Sequence, residues 1–133
     1  MTAGYKDLKV LIVDDFEIIR ITIRTALQKL SVETILEAKD GVEGLRCLQE
    51  RIAAGGSIDL VFCDWNMPNM TGIQLLGECK NDPNLANIPF VMVTSEADKG
   101  NVLEALQIGA ADYLVKPFAH ESIEKKLKKV LKL

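Results

Sequence analysis

The chain is predicted to be α/β: five strand–helix units in succession, folded as a doubly wound parallel sheet with helices on both faces. Three observations lead there. Along nearly all of the 133 residues, short aliphatic runs alternate with stripes of helical period. Several runs are unbroken rather than alternating, as in strands buried on both faces. Three of them stop abruptly at a charge: Val10-Leu-Ile-Val-Asp-Asp15, Val61-Phe-Cys-Asp64 and Tyr113-Leu-Val-Lys116.

The elements follow in order. Lys9–Val13 reads as the first strand and Glu17–Leu30 as a helix with Ile19, Ile23, Ala26, Leu27 and Leu30 on one face. Thr34–Ala38 is a short strand; Gly41–Ile52 is a helix whose apolar stripe is Val42, Leu45 and Leu48. Ala53-Ala-Gly-Gly-Ser57 is a flexible connection into the strand Leu60–Cys63. Thr71–Lys80 is a helix, and Asp82-Pro83 and Pro89 punctuate the loop before the strand Phe90–Val93. The fourth helix, Lys99–Ile108, stops at Gly109, a residue suited to a helix C-terminus. The strand Asp112–Val115 and the helix His120–Leu131, with Ile123, Leu127, Val130 and Leu131 as its apolar stripe, complete the series. One domain over 1–133 is expected, with no repeat, linker or attached second domain.

Composition narrows the function classes. Apolar residues are 48% and charged residues 26%, ordinary for a globular protein. A net charge of −3 argues against a dedicated nucleic-acid binder, which needs a basic face. No apolar run reaches membrane-spanning length and the amino terminus carries no secretory pattern, so a cytoplasmic location is expected. Cys47, Cys63 and Cys79 are odd in number and lack C-x-x-C spacing, so buried free thiols are expected rather than disulfides or metal ligands.

The strand ends point to chemistry. In an open parallel sheet, ligands bind beyond the carboxyl ends of the strands, where strand order reverses. Strand one delivers Asp14 and Asp15, strand three Asp64, strand four Thr94 and strand five Lys116. With the order 2-1-3-4-5, strands one and three are neighbours and the three carboxylates meet. Such acids raise each other's pKa unless a cation neutralises them, and Lys116 alone cannot balance three. A hard divalent ion such as Mg²⁺ suits that oxygen donor set and leaves room for phosphate oxygens. A carboxylate beside Mg²⁺, a lysine and a hydroxyl is equipped to accept a phosphoryl group. Individually, the residues have blander uses: Asp14 or Asp15 could cap the Glu17 helix, Asp64 a turn and Thr94 the next helix, and Lys116 could be solvated. Jointly, at four strand ends, they favour a site.

The motifs Val13-Asp-Asp15, Asp64-Trp-Asn-Met-Pro-Asn-Met70 followed by Gly72, Val93-Thr94-Ser95 and Gly109-Ala-Ala-Asp-Tyr-Leu-Val-Lys-Pro-Phe118 resemble those of response-regulator receiver domains. The likeness runs from about Lys9 to Leu131. It is closest to the single-domain chemotaxis regulators of the CheY type, with Phe16, Trp65-Asn66 and Tyr113 in place. It implies a flavodoxin-like (βα)5 fold with strand order 2-1-3-4-5. It also implies a two-component switch rather than a turnover enzyme: Asp64 is phosphorylated by a histidine kinase of the CheA kind. Asp15 and Asp64 would ligate Mg²⁺ directly, Asp14 through water, and the Asn66 backbone carbonyl would complete the protein ligands. Lys116 and Thr94 would contact the phosphoryl oxygens, and Tyr113 would change rotamer toward Thr94. Lys116-Pro117 is expected to be cis.

Two features bear on partners. The Ala53–Ser57 connection is longer than in typical chemotaxis members and leads to the end of the sheet away from the site. The last helix carries Lys125, Lys126, Lys128, Lys129 and Lys132 against Glu121 and Glu124, a solvated lysine face that suits an acidic or amphipathic target. In the family, targets dock on the fourth helix, fifth strand and fifth helix, the flagellar motor switch among them; Asp98 dilutes the positive charge there. A dedicated phosphatase is a further expected partner; Asn66 and Glu96 occupy positions that tune dephosphorylation in the family. Trp65 is expected to be partly exposed on its loop, and His120 to lie at the surface. Other readings of the same residues are a single-domain phosphorelay intermediate, a Mg²⁺-dependent aspartyl phosphatase or phosphotransferase, and a flavin-binding module. A second acid two residues after Asp64 would favour the phosphatase, but Asn66 stands there. Acids at the sheet edge would repel a flavin phosphate.

Overall fold

The aliphatic runs pair as one five-stranded parallel sheet in the order β2-β1-β3-β4-β5. The strands are β1 (Lys9–Val13), β2 (Thr34–Ala38), β3 (Leu60–Asp64), β4 (Phe90–Ser95) and β5 (Asp112–Lys116). Five helices alternate with them: α1 (Glu17–Lys29), α2 (Gly41–Ala53), α3 (Gly72–Lys80), α4 (Val102–Ile108) and α5 (His120–Leu131). The computed structural model describes residues 3–95 and 100–133, with side chains from Tyr5 onward. The readings placed on Glu96, Asp98 and the Lys99 start of the fourth helix lie outside the described residues. One helical turn that the periodicity did not announce, Ala3–Lys6, precedes β1, and Tyr5 is buried beneath it.

Two apolar layers cover the sheet. Ile23, Ala26 and Leu27 of α1 and Ile123 and Leu127 of α5 pack on Val10, Ile12, Leu60, Phe62, Val91 and Leu114. On the other face, Leu48 of α2, Leu75, Leu76 and Cys79 of α3 and Ala105 of α4 pack on Leu11, Val13, Val61, Cys63, Phe90 and Met92. This alternation is the two-residue period of strands whose faces are both buried. Removing such a mass of apolar surface from water is the dominant favourable term in folding.

The stripe of α2 differs from the one read in the sequence. Val42 is 40% exposed, and the buried residues are Gly41, Gly44 and Leu48. Spacing alone put Val42 in line with Leu45, but the helix turns its two glycines inward instead. A Cβ at Gly44 would sit 3.1 Å from a Val13 methyl, and one at Gly41 2.5 Å from the Met70 carbonyl oxygen. Small residues there let α2 approach the sheet and the loop after β3.

Local signals set the helix ends. Asp40 Oδ1 accepts the Glu43 amide at 2.8 Å, capping α2. Thr71 is the N-cap of α3 rather than its first helical residue, and it forms a reciprocal capping box with Gln74. Gly109 ends α4 with φ +130°, a conformation costly for a side-chain-bearing residue. Cys63 and Cys79 are buried and all three thiols are free, as expected, although Cys47 is only half-buried.

Gly77 lies inside α3 with nothing within 4 Å of where a Cβ would be. Gly77→Ala should therefore stabilise the protein by roughly 0.5–1 kcal/mol in chemical denaturation. Gly72→Ala should do the reverse and by more, because its Cβ would fall 1.9 Å from the Asp64 carbonyl oxygen. Equal effects from the two substitutions would contradict this packing.

Candidate functional site

Register decides which strand ends meet. Val13 pairs with Cys63 across β1 and β3, so Asp14 and Asp64, each one residue further, emerge side by side. Asp64 pairs with Val93 and Ser95 with Lys116, which brings β4 and β5 to the same edge. Asp14, Asp15 and Asp64 each offer a carboxylate oxygen within 4.8 Å of the others. Lys116 Nζ donates to Asp64 Oδ1 at 3.1 Å and lies 3.4 Å from Asp14 Oδ2. The structure thus brings together the three acids and the lysine named from the sequence.

The two central acids are buried, Asp14 at 1% and Asp64 at 5% exposure, whereas Asp15 is exposed. Neither Asp14 nor Asp15 caps α1: Phe16 is its N-cap, without a side-chain bond. Asp14 Oδ1 accepts the Phe16 amide at 2.9 Å instead, and Arg20 Nη1 donates to the Asp14 carbonyl at 2.7 Å. Asp64 Oδ1 accepts the Trp65 amide at 2.9 Å. Asp14 Oδ2 is a buried oxygen with no hydrogen-bond partner; its contact with Lys116 is an ion pair without hydrogen-bond alignment.

Electrostatics follow from that crowding. Burial pushes the Asp64 carboxyl up to about 7; the adjacent Asp14 charge adds to the rise and Lys116 opposes it. Burial likewise raises Asp14, against the pull of the Phe16 amide and Lys116. For Lys116, burial disfavours the charge, but the two carboxylates outweigh it and hold its pKa above the usual lysine value. A buried carboxylate oxygen without a hydrogen bond, beside two further acid oxygens, is the donor set of a hard divalent cation, and Asp14, Asp15 and Asp64 fit Mg²⁺.

Thr94 is 1% exposed and its hydroxyl donates to the Ser95 carbonyl at 3.3 Å. By strand alternation it shares a face with Met92, whose register partner is Tyr113. Asp64 belongs by the same period to the opposite face, with Phe62. Tyr113 is half-buried against the layer formed by α2, α3 and α4. The Lys116–Pro117 peptide is cis. Lys116 Nζ also lies 5.9 Å from the Phe16 ring centroid, and Phe16 is 60% exposed at the mouth of the site.

Trp65 departs from expectation. It is only 8% exposed and joins the core with Met67, because the loop after β3 folds back over α2 and α3. Three contacts hold that loop: Gly72 N–H to Trp65 O at 3.0 Å, Gly41 N–H to Met70 O at 3.2 Å, and Asn69 Nδ2 to Asp40 Oδ2 at 2.9 Å. Asn66 remains exposed on it. Sequence reading quoted Gly72 and Asn69 within a motif but assigned them no part. Asn69 takes φ +68°, a conformation asparagine tolerates, and Gly72 has no Cβ to collide with the Asp64 carbonyl as the chain passes it. Their residue types were the available signal. His120 is half-buried, its Nδ1 3.2 Å from Lys29 Nζ. A groove of about 540 Å³ lined by Leu36, Cys47 and Arg51 lies along α2 and includes none of these acids.

Comparison with known proteins identifies the family. Residues 10–128 match the response regulator receiver domain family, to which the chain belongs. It is 39% identical over 125 residues to the chemotaxis protein CheY-3 of Vibrio cholerae, covering 94% of this chain and 92% of that protein. It is 40% identical over 123 residues to the chemotaxis protein CheY of Pseudomonas aeruginosa, covering 92% and 95%. Among solved structures, Vibrio cholerae CheY4 superposes with a TM-score of 0.82 at 33% identity, covering 93% of this chain and 98% of that one. The flavodoxin-like fold and the two-component receiver class are thereby shown. No helix among the described residues is long and apolar enough to cross a membrane.

The raised Asp64 carboxyl has a consequence for stability. Without a divalent ion, the folded protein binds more protons than the unfolded chain between about pH 4 and about 7, so stability falls as pH rises through that window. Asp64→Asn should flatten the fall and make the protein more stable at pH 8 in chelator, by at most about 4 kcal/mol. Denaturant unfolding across pH measures this; an Asp64→Asn protein no more stable than the parent at pH 8 would contradict it.

Proposed function

We propose that the chain, as a single receiver domain over 1–133, is a cytoplasmic signalling switch. A histidine kinase of the CheA kind phosphorylates it on Asp64, and the phosphorylated form changes its affinity for a target protein. The observation that carries this reading is the Asp14, Asp15, Asp64 cluster with Lys116 paired to Asp64 at the carboxyl edge of the sheet. An Asp64 carboxylate oxygen would attack the phosphorus of a phosphohistidine. The imidazole would leave with the bonding electron pair, producing an acyl phosphate. Asp14, Asp15, Asp64 and the Asn66 backbone carbonyl would hold Mg²⁺. When bound, that ion neutralises charge on the acids and on the phosphoryl oxygens.

The chain's own residues would do the rest. Lys116 would exchange Asp64 for a phosphoryl oxygen, and Thr94 would turn its hydroxyl from the Ser95 carbonyl to another. Thr94 shares a face with Tyr113, so its movement would alter the space available to that ring. Output would pass to a target on α4, β5 and α5. Two relatives are named chemotaxis proteins, which supports placing this receiver in chemotaxis, with a flagellar switch component as target and a dedicated phosphatase as antagonist. The chain would catalyse only the gain and loss of its own phosphoryl group.

Trp65 reports on the site, since its amide is bonded to the Asp64 carboxylate. Titration with Mg²⁺ and then beryllofluoride should change its fluorescence saturably, and Asp64→Ala should abolish the change. With a phosphodonor, Asp64→Asn should take no label, whereas Lys116→Ala should be phosphorylated without passing the change to a target. A normally phosphorylated Asp64→Asn protein would rule out the acceptor assignment.

A further inference from the structure

A third buried carboxylate, Asp112, lies at the start of β5, at the far end of that strand from Lys116. The Asp112 side chain is 6% exposed and sits between two lysines of α5. Lys126 Nζ donates to its Oδ1 at 3.2 Å, and Lys129 Nζ lies 3.4 Å from its Oδ2. The same Lys126 ammonium stands 5.2 Å from the centroid of the Tyr113 ring. The lysine face of α5 is therefore not simply solvated. Lys126 is only 26% exposed, in contrast to Lys128 and Lys129, which are 51% and 71% exposed.

The geometry is unusual because Asp112 and Tyr113 are consecutive in a strand, so their side chains leave opposite faces of the sheet. One cation can touch both only where the sheet has an open edge, and β5 is an edge strand. Lys126 reaches from α5 on the Asp112 face, past that edge, to the aromatic ring on the other. Asp112 holds the ammonium there: its carboxylate also accepts the Tyr113 amide at 2.8 Å, which fixes the acid to the ring's own peptide.

We infer that Lys126, placed by Asp112, is a positioning residue that holds the Tyr113 ring in its position at the edge of β5 and so sets the balance between the two states of the switch. The inference rests on the reading of Asp64 as phosphoacceptor and of Tyr113 as a ring that moves in response. A contact made in one state and broken in the other biases the equilibrium toward the first and weakens any ligand that requires the second. Lys126 stabilises the arrangement in which Lys116 is bonded to Asp64 and the Thr94 hydroxyl to the Ser95 carbonyl, and thereby opposes activation.

The test uses the full chain labelled with 3-fluorotyrosine, with the Tyr113 resonance assigned by Tyr113→Phe. Beryllofluoride affinity is read in parallel from Trp65 fluorescence. In Lys126→Met, the resonance of the free protein should move part of the way toward its beryllofluoride-bound position, and affinity should improve roughly two- to fivefold, the scale of a single cation–π contact. Lys126→Arg should retain both parental values, because a cation remains. Asp112→Asn should act in the same direction as Lys126→Met. Lys128→Met, which alters contacts with Glu124 and Tyr5 and touches neither Asp112 nor Tyr113, should change neither readout. A Trp65 response of parental affinity, with a Tyr113 resonance indifferent to Lys126→Met in a folded protein, would overturn the inference alone. Absence of any Trp65 response in the parent protein would overturn the phosphoacceptor reading and this inference with it.

Discussion

Two carboxylates, Asp14 and Asp64, are buried side by side at the ends of the neighbouring strands β1 and β3, and Lys116 is paired with both. Most of the surrounding structure follows from this arrangement. Burial makes each acid costly to ionise, and proximity makes the second more costly than the first. Lys116 relieves part of that cost from β5, two strands away from β3, so the site depends on the whole sheet rather than on one loop. The residual imbalance is what a divalent ion and a phosphoryl group together would satisfy.

The sheet also separates Asp64 from Tyr113. Alternation along β4 puts Val93 beside Asp64 and Thr94 on the opposite face, in line with Met92 and Tyr113. A residue at that position can sense the acid edge through the end of the strand while its side chain belongs to the layer beneath α4. The edge position of β5 leaves Tyr113 half-buried rather than locked in the core, and Lys126 is the side chain that borders it from α5. Bistable packing is one way in which small displacements at a site become changes at a surface, and a half-buried edge ring leaves room for it.

The loop after β3 supplies the remaining order. Its backbone turns back so that Trp65 and Met67 enter the core, and its far end is fastened to the start of α2 through Asn69, Met70 and Gly41. Asn66 is left exposed between two anchored segments, so its carbonyl is carried by a loop with little freedom. Gly72 completes the device by letting the chain pass the Asp64 carbonyl.

The sequence by itself determined the element order, the parallel sheet and the charged residues that meet at its carboxyl edge. Unbroken aliphatic runs and helical stripes are local properties, and a charge at the end of a buried strand is conspicuous wherever the strand lies. Asp14, Asp15, Asp64 and Lys116 were legible for that reason, although strand order owed as much to family likeness as to charge. Only the tertiary structure decided what depends on contacts between distant segments. It turned Val42 outward and two glycines inward, because the approach of α2 to Val13 and Met70 is not written in α2 alone. It buried Trp65, because the loop's path is set by hydrogen bonds to α2 and α3. It also converted Lys126 from one of five similar lysines into a partner of both Asp112 and Tyr113. Periodicity can assign a residue to a face, but which groups meet across an open strand edge is a property of the assembled sheet.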